Sequence, residues 1–176
     1  MNFLKRTYNW TLEKAQHKNA KWYLSLISFA ESSFFPIPPD ILLIPMALAS
    51  KAKALFYAFI CTLFSVLGGI LGYAIGYFFF NSVGIYIVEF YHLENSFSVF
   101  EDYYREFGIL IVLGAGITPF PYKFITIASG VFGLNIFLFI IVSIIGRGLR
   151  FYLIAILLYF FGEKIKLIID KYFNIL

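Results

Sequence analysis

The chain has 176 residues, of which 61% are hydrophobic, 22% aromatic and only 14% charged. Soluble domains average about 45–50% apolar and about 25% charged residues, so this chain lacks the polar surface to cover itself in water. Its length fits one domain. The single cysteine, Cys61, excludes a disulfide framework or a thiolate metal site. The net charge of +4 informs only through where the basic residues fall.

Residues 1–21 carry Lys5, Arg6, Lys14, Lys18 and Lys21 against one acid, Glu13. They lack an apolar core with a small-residue cleavage site, so no cleaved signal peptide is expected. The positive-inside rule predicts a cytoplasmic N-terminus. The segment reads as an interfacial helix anchored by Trp10 and Trp22.

Residues 22–50 are hydrophobic but interrupted at FFPIPPD, where Pro36, Pro38 and Pro39 fall within four positions. Each proline removes an N–H donor and disfavours helical geometry in the residue before it. Irregular backbone at membrane depth is tolerated only beside protein or a watery cavity. Each arm is shorter than the about 20 residues a crossing needs, so the segment is predicted to be a re-entrant helical hairpin. Lys51 and Lys53 return the chain to the basic side.

Residues 54–80 form an uninterrupted apolar run long enough to span. Within it, Gly68, Gly72 and Gly76 recur every four residues, a stripe of helix packing that permits close approach of another helix or a homo-oligomer. Residues 81–107 form a polar middle, with Glu89, Glu94, Glu101, Asp102 and Glu106 against Arg105. Acid-rich composition is compatible with the outer face.

Residues 108–129 are a second interrupted segment, broken at ITPFPYKF by Pro119 and Pro121. The apolar stretch 131–161 is divided by GRGLR, and is either one long tilted span or a span followed by an interfacial segment. The tail 162–176 is basic, with Lys164, Lys166 and Lys171.

The two breaks match each other as Pro-apolar-Pro-x-charge: Pro36 to Asp40 against Pro119 to Lys123. One predicted crossing separates them, so the hairpins should enter from opposite sides. Proline-interrupted segments at corresponding places in two halves point to a transporter site built from inverted repeats. The predicted fold is therefore an all-α integral membrane protein, with two opposed re-entrant hairpins packed against transmembrane helices.

Five charges are candidates for a substrate or proton pathway. An ionised Glu31 is costly in lipid, so it must face a cavity or a base, be protonated, or reach headgroup water. Asp40 follows the prolines, where it complements the dipole of a new helix or lines the pathway. Arg147 and Arg150 are three apart and share a helix face, suited to forking a phosphate or neutralising the two acids, or to snorkelling. Lys123 has the same choice between pathway and snorkelling. Together the five sum to +1, and to +2 with one carboxylate protonated, so protonation would strengthen the hold on an anionic headgroup.

Enzyme signatures are missing: no GxxxxGK[ST], HExxH, GxSxG or CxxC occurs. The two histidines, His17 and His92, lie in polar stretches. No enzyme activity, cofactor, metal or nucleic-acid partner is expected.

FAESSFFPIPPDILLIPMALAS (29–50), GAGITPFPYKFITIASGVFG (114–133) and GRGLRF (146–151) resemble the DedA / SNARE-associated Golgi protein (VTT-domain) superfamily, and within it the small YqaA-type bacterial branch. The resemblance covers residues 22–161. It implies two re-entrant hairpins facing each other, and proton-linked handling of a membrane lipid in the bacterial inner membrane. Polyprenyl-phosphate transport and phospholipid flipping or scrambling are the activities assigned to family members. Glu31 and Asp40 match the family's acidic positions around the first hairpin. The family's second-hairpin arginines fall here at Ala115 and Lys123, and arginines stand instead at Arg147 and Arg150. One lysine in place of two arginines grips phosphate less tightly. The expected function is a membrane transporter or flippase; a non-transporting assembly or lipid-binding protein and a small-solute or ion transporter are the alternatives.

Overall fold

The computed structural model describes residues 19–34, 37–90, 92 and 94–175, and is all-helical, with no strand among them. The basic segment through Lys18, with Trp10, and the break residue Pro36 lie outside the described residues. Seven α-helices are described: α1 (Ala20–Ser33), α2 (Asp40–Ala49), α3 (Ala54–Phe79), α4 (Ile85–Phe90), α5 (Glu94–Ile117), α6 (Tyr122–Val131) and α7 (Ile136–Ile175). A 3₁₀ turn at Lys51–Lys53 precedes α3, and a π-helical turn at Phe80–Gly84 follows it.

Two helical segments among the described residues are long and apolar enough to cross a bilayer, Lys51–Gly84 and Ile136–Gly162. The GRGLR stretch does not break the second, because α7 runs unbroken to Ile175. Much of the polar middle is helical. Its residues from Glu94 onward belong to α5, which continues to Ile117 and forms the first arm of the second break. The expected start at residue 108 marks where the exposed helix turns apolar, not where it begins.

The two halves of the chain repeat one plan. In each, a helix ends at a proline break, a ten-residue helix follows, four residues turn, and a long apolar helix begins. The short helices start at 40 and 122 and the long ones at 54 and 136, so both pairs are offset by 82 residues. Pro39 and Pro121 both stand immediately before a short helix, where a missing N–H costs no helical bond. This register departs by one residue from the one read in the sequence. Asp40 is matched by Tyr122, not by Lys123.

Contacts between the helices fix their directions. Phe29 meets Gly68 and Ser32 meets Gly72, so α1 and α3 run parallel. Tyr122 lies by Gly69, Thr126 by Gly72 and Ile127 by Gly76, so α6 runs with them. Phe139 lies by Gly69, Ser65 bonds Arg147, and Lys51 lies by Gly162, so α7 runs the other way. Asp40 pairs with Arg150 and Leu48 lies by Gly162, so α2 runs with α7. Tyr104 on α5 bonds Ser129 late in α6, while Gly116 meets Gly146, which sets α5 parallel to α7. The first half therefore runs up, down, up, and the second down, up, down.

Along α3 the buried face is rich in small residues and the exposed face in large apolar ones. The buried residues of α3 are mostly small: Ala54, Ala58, Cys61, Thr62, Ser65, Gly68, Gly69, Gly72 and Gly76, with Ile60 and Val66 the larger ones among them. Its outer face presents Phe56, Phe59, Leu63, Leu67, Leu71, Ile75 and Phe78. Small residues inside let backbones touch, and large apolar residues outside suit hydrocarbon. The glycine stripe is occupied within the chain: a Cβ at Gly68 would lie 2.1 Å from the Phe29 carbonyl oxygen, and one at Gly76 2.0 Å from that of Ile127.

Candidate functional site

The two proline breaks come together. Pro38 from the first and Pro119, Phe120 and Pro121 from the second line a cavity of about 250 Å³, together with Glu31, Asp40, Lys123 and Arg150. Because a break cannot carry helical hydrogen bonds, each exposes backbone and side chains that a continuous helix would cover. The ends of α1 and α5 deliver these groups to the level of Ser65–Gly69, near the middle of the 26-residue α3.

Both acids are paired, and both pairs join one half of the chain to the other. Arg147 on α7 donates through Nη2 to Glu31 Oε2 on α1. Its Nε donates to Ser65 Oγ on α3 at 2.6 Å. Ser65 in turn shares a 2.6 Å bond with Ser32, whose hydroxyl also reaches Glu31 Oε2 at 3.1 Å. The Arg147 guanidinium is wedged between two aromatic rings, 4.9 Å from the centroid of Tyr122 and 4.8 Å from that of Phe151. Tyr122 is held by a 2.6 Å bond to Ser143. Arg147 is completely buried, which rules out snorkelling.

Arg150 is one turn further and serves a different partner. Its Nη2 donates to Asp40 Oδ2, and its Nη1 to the Thr118 carbonyl at 2.8 Å. It thus ties the first residue of α2 to the second break. Asp40 occupies the first turn of α2, where a carboxylate also complements free N–H groups. The two arginines do not form a shared fork towards the cavity: Arg150 lines it and Arg147 lies behind Glu31.

Lys123 lines the cavity without a carboxylate at ion-pair distance among the described residues; its ammonium lies 5.2 Å from the Phe124 ring. Two buried atoms have no hydrogen-bond partner among the described residues, Arg147 Nη1 and Asp40 Oδ1. The aromatic faces around Arg147 give its unbonded Nη1 an electrostatic partner. No group of acids, histidines and cysteine that could hold a metal occurs among the described residues.

Sequence reasoning did not find Ser32, Ser65, Tyr122, Phe151 or Ser143. A hydroxyl within an apolar helix carries no local signal, because it satisfies itself on the preceding turn as readily as it bonds a charge.

An uncharacterized protein of Haemophilus influenzae is 39% identical over 157 residues, which cover 89% of this chain and 81% of that protein. The uncharacterized HI0703 homologue of Histophilus somni is 36% identical over 160 residues, with 89% and 82% covered. The chain belongs to one family with these two proteins. The matched span of that family is long enough to include both breaks and the paired charges. No family model and no solved structure matches.

Proposed function

We propose that this chain is a multi-span transporter or flippase of the inner membrane, resembling the DedA/VTT superfamily, that moves an anionic lipid or lipid phosphate by a proton-linked route. In this reading α1–α2 and α5–α6 are re-entrant hairpins entering from opposite faces, and their breaks meet near the bilayer midplane. The observation that carries it is the set of charges at that meeting point. Two carboxylates from one half are held by two arginines of the other, beside a small cavity that also presents Lys123.

Charges at that depth are expensive and accumulate where ions, protons or charged substrates pass. While both acids are ionised, each arginine is neutralised, and Lys123 is the cation left to greet an anion. Protonating Glu31 or Asp40 releases a guanidinium, so a proton and an anion enter together and leave together. The cavity admits a headgroup and not a lipid tail. The tail would remain between the hairpins in hydrocarbon.

The test is movement of a fluorescent polyprenyl phosphate between leaflets of liposomes holding the purified protein, with and without a pH gradient. Wild type should move the lipid faster with the gradient than without it. Glu31→Gln, whose amide oxygen can still accept from Arg147, should fold with a lowered unfolding midpoint and lose that acceleration. A wild-type protein that moves neither this lipid nor a fluorescent phospholipid would sink the flippase reading.

A further inference from the structure

A second cavity, about 450 Å³, lies at the far end of the bundle and is built differently from the first. Tyr77 near the end of α3, Phe80 in the π-helical turn after it, Glu101, Tyr104 and Arg105 from α5, and Phe132 in the turn before α7 contribute its chemistry. Its walls are fixed. Tyr104 shares a 2.7 Å bond with Ser129, and Tyr73 donates to the Leu134 carbonyl at 2.6 Å. Asn135 Oδ1 accepts the N–H groups of Phe137 and Leu138, capping α7. Tyr104 and Phe132 stack at 5.1 Å, which presents ring faces instead of a flexible rim.

We propose that this cavity binds the zwitterionic headgroup of a phospholipid, with its ammonium on Glu101 and the ring faces and its phosphate on Arg105. This rests on the membrane reading above but concerns a separate site. Depth supports it. Tyr77 lies twelve residues beyond Ser65 on α3, about 18 Å at 1.5 Å per residue. Half of the about 30 Å hydrocarbon core is about 15 Å, so a site that far from the central cavity sits among headgroups.

Charge decides which headgroup. With Arg147 behind Glu31, the charges at the central cavity sum to +1, whereas this cavity is lined by one carboxylate, Glu101, and one guanidinium, Arg105, with the acids Asp102 and Glu106 next to them on α5 outside the lining. An anionic headgroup without an ammonium would meet repulsion from these acids. One with an ammonium gains a carboxylate and the negative faces of aromatic rings. The resident Glu101–Arg105 pair, 2.7 Å apart, is cheap to open: Arg105 is 72% exposed and Glu101 33%. Exposed pairs contribute little, so a ligand that satisfies both charges separately replaces the pair at little cost.

The experiment is native mass spectrometry of the purified full chain in mixed micelles containing equal phosphatidylethanolamine, phosphatidylcholine and phosphatidylglycerol. Wild type should retain the two zwitterionic lipids about tenfold over phosphatidylglycerol, a difference of about 1.4 kcal/mol. Glu101→Gln should bring that ratio towards one, Arg105→Gln should lower retention of all three, and Lys53→Gln, exposed at the opposite end of α3 and outside both cavities, should change nothing. Equal retention by wild type, or a preference untouched by Glu101→Gln, overturns the site and leaves the transport reading standing. A chain that alkaline carbonate strips from membranes overturns the membrane reading, and this site with it.

Discussion

The residues whose loss is costliest should be the ones that cross between halves of the chain. Breaking a buried ion pair by removing one partner costs about 3–5 kcal/mol, because the other charge is left uncompensated in a low-dielectric surround. Arg147 is fully buried, while the Arg150 pair is partly exposed, so the two arginines are not equivalent. Arg147→Met should lower the unfolding midpoint in detergent clearly more than Arg150→Met. Adding Glu31→Met to Arg147→Met should recover much of the loss, since a neutral pair of similar volume needs no compensation. If the double variant is as unstable as the sum of the singles, the pair is not what holds these helices. The sequence made the five charges legible because apolar runs leave them nowhere to hide. It did not reveal who pairs with whom, because 116 and 110 residues separate the partners. The spacing of Arg147 and Arg150 placed them on one face, yet long side chains on one face still reached two different acids.

At the scale of the helix, small residues carry the packing. A Cβ at Gly68 would lie 2.1 Å from the Phe29 carbonyl oxygen, and one at Gly72 2.2 Å from Thr126 Oγ1. Neither helix can yield without disturbing the break behind it. Gly68→Ala and Gly76→Ala should each destabilise the protein by about 1–3 kcal/mol, the usual cost of overpacking. Gly148 meets nothing nearer than the Thr62 methyl at 3.8 Å, and Gly114 nothing within 4 Å. Alanine at those two positions should leave the midpoint unchanged or raise it, by the helix propensity gained. Equal effects at all four glycines in a thermal melt would contradict this packing. The breaks and the two long apolar helices were legible because proline and hydrophobic run length act locally. The beginning of α5 was not, because residues 94–107 form a solvated helix whose polar face hides its period. The choice between one helix and two over residues 131–161 was equally opaque, since two glycines beside two arginines suit a turn as well as a buried helix. In the structure, Gly146 packs against Gly116 and the arginines against acids, so α7 continues.

For the whole molecule, the helix directions make an inverted repeat whose charges are divided unequally. The first half supplies both acids, and the second supplies both arginines and Lys123. The 82-residue offset pairs Ser65 with Arg147 and Gly68 with Arg150, so the long helices differ at the positions that carry the two arginines. Two ion pairs thus join the halves of the chain where the proline breaks meet, and under the proposed transport a substrate anion would compete with them. The arrangement also dictates sidedness. If the breaks are re-entrant, the residues flanking each hairpin return to the side they left: Lys21 with Lys53 on one face, Ser98 with Asn135 on the other. With the buried Cys61 replaced by alanine, single cysteines at these four exposed positions should label with an impermeant maleimide in two matched pairs, each from one side of a sealed vesicle. If Lys21→Cys and Lys53→Cys instead label from opposite sides, the first hairpin crosses the bilayer. The meeting of the two breaks then has to be explained without re-entry.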